Sequence, residues 1–228
     1  MLTLDLLDHV ASGVLRDRAK YIEGSDGELW SNTTLLNYLN EAENRFARGT
    51  FCILDDSTSA VVTVPLVAST ASYALHKSIL KVFSVTLSDS PVRLAAKSYT
   101  HLSDTEAEMV DGLGRPTGYW VDTSTRKIRF AAIPYTDEVG LSAKLRVARL
   151  PLAPMVISAT SVPEIPEEYH LALCDWVVYR ALMHQETDSE AQVDGHRFRA
   201  TFENEIKSAR RDIQILTEPP SQIKFGTW

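Results

Sequence analysis

Two cysteines in 228 residues leave no material for a disulfide framework, and Cys52 and Cys174 lie far enough apart to read as two reduced, buried thiols. Ten glycines and ten prolines without any low-complexity run exclude a collagen-like or disordered chain. Long hydrophobic runs are missing too. The longest, 171–178, is broken by Asp175 and falls far short of a bilayer span, so no membrane contact is expected. Near Met1 the chain carries Asp5 and Asp8 where a secretory leader carries cations, which points to a protein made and kept in a cytoplasm. Recognisable catalytic patterns are absent as well. There is no G-x-S-x-G elbow, no GK[ST] or G-x-G-x-x-G loop entering a helix, and no CxxC or HxxxH pair.

What remains is an ordinary globular composition, 44% apolar and 23% charged, in a chain long enough to bury its own core. Its net charge of −7 is unevenly spread. Residues 1–60 hold 5 Lys/Arg against 10 Asp/Glu, 61–155 hold 11 against 8, and 156–228 hold 7 against 12. The acid-rich ends would repel nucleic acid, which disfavours tight DNA binding by them.

Those ends read as helices. Thr3 is a candidate cap for a first helix with Leu4, Leu7, Val10 or Ala11, and Val14 on one face, ended by Gly24 and Gly27. Ser31 or Asn32 caps a second, in which Leu35, Leu39, Ala42 and Phe46 form an apolar stripe and Gly49 supplies the stop. Helices this short need a packing partner. The other end of the chain supplies one. Pro166, Glu167 and Glu168 open a helix that is apolar nearly all round from 169 to 183, through Leu171, Leu173, Trp176, Val177, Val178, Tyr179 and Leu182. After a break at 185–189 a helix about 40 Å long follows, with Phe198, Phe202, Ile206, Ala209, Ile213 and Leu216 on one face. Pro219 and Pro220 stop it. The tail beyond carries Ile223, Lys224, Phe225 and Trp228, apolar surface that either folds back on its own subunit or inserts into a partner.

Between the helical ends, alternation and β-branched residues mark strands at 60–67, 78–87, 118–122, 127–132 and 141–148. Turn residues at 88–91, 122–125 and 135–138 connect strands, and 101–114 contains a short helical piece. An antiparallel meander or small sandwich is the natural product. Candidate chemistry is sparse. His170 and Cys174 share a helix face beside Asp175, but two ligands do not make a zinc site. Asp188, Ser189, Glu190, Asp194 and His196 have hydrolytic residue types at a position where capping and solvated charge are expected. Gly112 and Gly114 fit a turn into the next strand better than a phosphate loop. No catalytic residue, metal or cofactor is therefore expected.

Three stretches, in order, carry a family likeness: LLNYLNEAENRFAR (35–48), GRPTGYWVDTSTRKIRFAAIPYTD (114–137) and IPEEYHLALCDWVVYRALMHQETD (165–188) followed by the long helix. They resemble the head–tail adaptor, or connector, proteins of tailed bacteriophages, with LN-A on an early helix, then G-x-P-x-x-Y, then I-P-E-x-Y-x-x-A-L. The β insertion is larger than in the most compact adaptors. The resemblance implies a virion structural protein at the head–tail junction, assembled in the host cytoplasm as a closed, commonly dodecameric ring. Such a ring docks on the portal, leads to a downstream tail protein such as a nozzle or tail tube, and lets genomic DNA pass without specific binding. It implies that Ile223, Lys224, Phe225 and Trp228 belong to a portal-binding arm.

The expected fold is therefore α+β, an antiparallel helical bundle from both chain ends (1–59 and 156–217) with an inserted β domain (60–155) and an extended arm (218–228). Leu39, Phe46, Trp176, Tyr179, Phe198 and Phe202 are expected in the bundle core or a subunit interface. Rival readings are another tail-completion or tail-tube component and, in a different class, a soluble enzyme or nucleic-acid-binding module. The second lacks any convergent polar cluster in the sequence.

Overall fold

Helix capping and stripe spacing shape the first part of the computed structural model, which describes residues 1–15, 30–97, 112–122, 124–135, 140–184 and 189–217. The chain is mixed α+β and divides into two units, Met1–Ile53 with Pro151–Trp228, and Leu54–Leu150.

In the helical unit, α1 (Thr3–Asp8) runs into a π-helical turn, His9–Val14, closed by the Leu15 N–H on the Val10 carbonyl at 2.9 Å. Thr3 does not cap this helix. It is buried inside the first turn, where its N–H and hydroxyl both donate to the Ser161 carbonyl, while the Asp5 carboxylate takes the Leu2 N–H at 3.2 Å. Anchoring Thr3 turns Leu6, Leu7, Val10 and Ala11 inward and leaves Leu4 and Val14 exposed, so the buried face is displaced from the one expected. The stop assigned to Gly24 and Gly27 lies outside the described residues.

Helix α2 (Asn32–Thr50) starts as its sequence suggests, with the Ser31 hydroxyl accepting from the Thr34 N–H at 3.1 Å. Leu35, Leu39, Ala42 and Phe46 are fully buried. Its end differs from the expected one. The helix passes through Gly49 to Thr50 and stops at Phe51, which takes the left-handed conformation at φ 60°. Gly49 serves another purpose: a Cβ there would sit 2.6 Å from Cγ2 of Ile206 on the long final helix, so glycine permits close approach of the two helices.

The return begins at Pro166, which precedes a 3-10 turn (Glu167–Tyr169) rather than occupying the helix itself, and leads into α4 (His170–His184). The final helix α5 (Ser189–Thr217) packs on both α2 and α4. Of the break placed at 185–189, residues 185–188 are outside the described residues and Ser189 already begins α5.

In the second unit, β1 (Leu54–Asp55) is followed by a helical turn, α3 (Ser59–Val62), and β2 (Thr63–Pro65). The strand expected over 60–67 is present at Thr63–Pro65 but does not extend back over Val61 and Val62. Instead the N–H groups of Val61 and Val62 both bond the Thr58 carbonyl, so both side chains are buried, whereas a strand would turn one outward. The remaining strands are β3 (Ser72–Ala74), β4 (Ile79–Leu87), β5 (Ser90–Arg93), β6 (Ala95–Ala96), β7 (Gly118–Asp122), β8 (Lys127–Ala131) and β9 (Ser142–Arg149).

They form a five-stranded sheet, in which β9 lies between β4 and the β1 and β2 pair and β5 borders β4, and a four-stranded sheet of order β3-β8-β7-β6. This is not a meander, because the last strand inserts beside the first. Pairing is antiparallel except for β6 with β7, which is parallel. Val85, Leu145 and Val147 from the larger sheet share one buried cluster with Tyr119, Ile128 and Phe130 from the smaller, a sandwich-like core. The buried pair Arg149 and Asp55, 2.6 Å apart, closes one end. Burial raises the Asp55 carboxyl, but bonds from Thr58, Arg149 and Ser57 outweigh it and hold it well below the usual carboxylate range.

Gly49→Ala should lower the stability of the chain by about 1–3 kcal/mol in chemical denaturation, and shortening Ile206 to Ala in the same chain should relieve part of the overlap. An exposed helical glycine would respond the other way, gaining up to about 1 kcal/mol from alanine.

Candidate assembly surfaces

Three helices meet on aromatic rings. Phe46 of α2 lies 5.2 Å from Tyr169 and 6.1 Å from Phe202 of α5, and Trp176 of α4 lies 5.3 Å from Phe202 and 5.0 Å from Tyr179. Leu39, Phe46, Trp176 and Phe202 are buried, while Tyr179 and Phe198 are half-buried. Leu171, expected to share the apolar girth of its helix, is 55% exposed. Arginines cover the rim: Arg45 stands 4.2 Å over the Trp176 ring, Arg199 lies 5.7 Å from Tyr179, and Arg180 lies 5.1 Å from Tyr38. The Trp176 indole N–H is buried without a hydrogen-bond partner among the described residues. Ile223, Lys224, Phe225 and Trp228 lie outside the described residues.

Sequence reasoning missed a second set, polar side chains on the buried side of α2. The Asn40 amide donates to the Met155 carbonyl at 3.1 Å and accepts from the Met155 N–H at 2.7 Å, pairing with that residue's backbone as a strand would. Glu43 is 1% exposed and accepts from the Glu164 N–H at 2.6 Å and from the Ile165 N–H. Burial raises the Glu43 carboxyl to about 7, against the pull of those two bonds and with the help of the nearby Glu164 charge. With Thr3 on Ser161, these residues fix the segment entering the return helix at three points. One signal was available: position 43 lies on the stripe of Leu39 and Phe46, so a carboxylate there needs a buried donor.

The other candidates are dispersed. The His170 ring is buried with Nε2 3.0 Å from the Ile165 carbonyl, and the Cys174 thiol points at the Leu6 carbonyl, pushed up to about 12 by burial and by Asp175. Cys52 is likewise a free buried thiol, pushed up to about 11 by burial. Asp194 pairs with Arg197 at 3.4 Å, His196 lies 6.2 Å from the Tyr179 ring, and Asp188 is outside the described residues. Gly112 and Gly114 exchange backbone bonds with Ile133, both at 2.8 Å, which is strand geometry. No group of three or more His, Cys, Asp and Glu side chains is placed to hold a metal ion among the described residues, and no described helix is long and apolar enough to cross a membrane.

Buried polar groups that fasten one segment of the chain to another, an aromatic helix core and a β unit define an α+β protein. The three stretches of family likeness fall on these features. Leu39 and Ala42 are fully buried beside Asn40, Pro116 and Tyr119 are buried at the start of β7, and Ile165 and Tyr169 open the return. The chain belongs to the SU10 adaptor protein family, a family of phage head–tail adaptors, whose model matches residues 2–220. No curated protein matches it.

Truncating Trp176 or Phe202 to alanine should cost about 3–5 kcal/mol in denaturant melts, and unchanged midpoints would show that these rings do not hold the helices together. The Glu43 shift also has a sign. Between about pH 4.5 and about 7 the unfolded chain ionises this carboxyl while the folded chain keeps the proton, so stability falls as pH rises through that window. A drop on the order of 2–3 kcal/mol is expected, and Glu43→Gln should flatten most of it in melts at pH 5 and pH 8. Asp175, raised to about 6 by burial and Glu205, leaves a smaller slope of the same sign.

Proposed function

We propose that this chain is the subunit of a closed, dodecameric adaptor ring that docks on the portal, connects it to a downstream nozzle or tail-tube protein and continues the DNA channel. The observation that carries the reading is the family match over residues 2–220. In this account both chain ends form an antiparallel helical bundle, with Leu39, Phe46, Trp176, Tyr179, Phe198 and Phe202 as its core or its contact with neighbouring copies. Segment 218–228 is the portal-binding arm, engaging through Ile223, Lys224, Phe225 and Trp228. The β unit faces outward or toward the next tail component. Supporting the conduit role, residues 1–60 and 156–228 each carry an excess of five acidic groups, and like charge lets DNA pass without sticking.

Deleting 219–228 should leave a protein with unchanged melting behaviour that no longer co-sediments with purified portal. Full portal binding by the shortened chain would remove the arm from the account.

A further inference from the structure

The larger sheet carries a cluster of cations on its outer face. Thr63, Lys144, Thr86 and Arg93 stand opposite one another on β2, β9, β4 and β5, so their side chains form one row on one side, and the Lys144 ammonium donates to the Thr63 hydroxyl at 3.0 Å. Arg146, opposite Ser84, lies in the next row of that face. Strand spacing places Arg93 about 10 Å and Arg146 about 7 Å from Lys144. All three are exposed, and among the described residues none has an acidic partner. Neighbouring like charges on a sheet oppose folding, and no ion pair with a described residue of its own subunit offsets that in this row.

The opposite sign is found on the helical unit. A groove of about 340 Å³ has apolar walls at Leu171 and Val178 and carboxylates at Glu168, Asp175 and Glu205. Glu168 and Glu205 are exposed and Asp175 is half-buried. Burial and the Glu205 charge raise Asp175, the His9 imidazole on the same groove opposing them, so this carboxylate lacks a full counter-charge. Long cationic side chains standing on a sheet and a concave acidic groove are complementary in sign and in relief.

We propose that copies of this chain join head to tail, the Arg93, Lys144 and Arg146 face of one copy seating on the Glu168, Asp175 and Glu205 groove of the next. The inference rests on the ring reading above and supplies its contact. Two different surfaces in contact repeat from copy to copy and close into a ring when the rotation permits. Because the contact is charged, it weakens as salt rises.

Sedimentation velocity on the full chain, up to millimolar concentration in low and high salt, tests this. The wild-type protein should associate in low salt and dissociate in high salt. A chain carrying Arg93→Glu, Lys144→Glu and Arg146→Glu, and another carrying Asp175→Lys and Glu205→Lys, should each lose association while melting as folded proteins. Mixing the two, or combining all five changes in one chain, should restore it. The proposal is overturned if the wild type stays monomeric throughout, if the single-surface variants associate normally, or if the mixture does not recover. It is equally overturned if the triple variant loses only retention of duplex DNA, which would give the sheet face to nucleic acid. Weighing portal complexes separates the two levels: rings built by both variants sink this contact and leave the ring reading standing, whereas no ring from the wild type sinks the ring reading itself.

Discussion

Rings contributed by opposite parts of the chain hold the helical unit together. Phe46 comes from α2 and Tyr169, Trp176 and Phe202 from the return, and none of these helices has a complete core without the others. The contact joins residues more than 100 positions apart, so the polypeptide must leave for the β unit and come back in register. Asn40, Glu43 and Thr3 fix that return, each bonding backbone groups of 155–165. Gly49 sets how closely α2 and α5 approach.

Where periodicity alone decides structure, the sequence was readable. Leu35, Leu39, Ala42 and Phe46 repeat at helical spacing, and Ser31 caps them. Asp122 likewise takes the Ser124 and Thr125 hydroxyls, each at 2.6 Å, in the turn assigned to it. What failed depended on features that spacing and propensity do not show. Gly49 looks like a helix stop because glycine usually is one, and only Ile206 reveals its use. Phe51 gives no sign of a left-handed conformation. Val61 and Val62 have strand propensity, which the Thr58 carbonyl overrides. The partners of Asn40 and Glu43 lie more than 100 residues away, so spacing along the helix does not show them.

Function was legible in a different way. Chemistry-bearing residues gave only scattered signals, and the structure leaves His170, Cys174 and Asp194 in separate settings. The ordered set of weak motifs identified the family, and the structure gives those motifs physical content as core positions and backbone clamps. Such residues preserve a scaffold. The parts that differ in charge, acidic helices and a cationic sheet face, are then left to meet other molecules.

Electron microscopy of the purified protein mixed with purified portal tests the central claim most directly. The account predicts class averages in which a closed ring of copies caps the portal and extends its channel. Portal particles bearing no added layer, or isolated copies scattered on the portal surface, would contradict it.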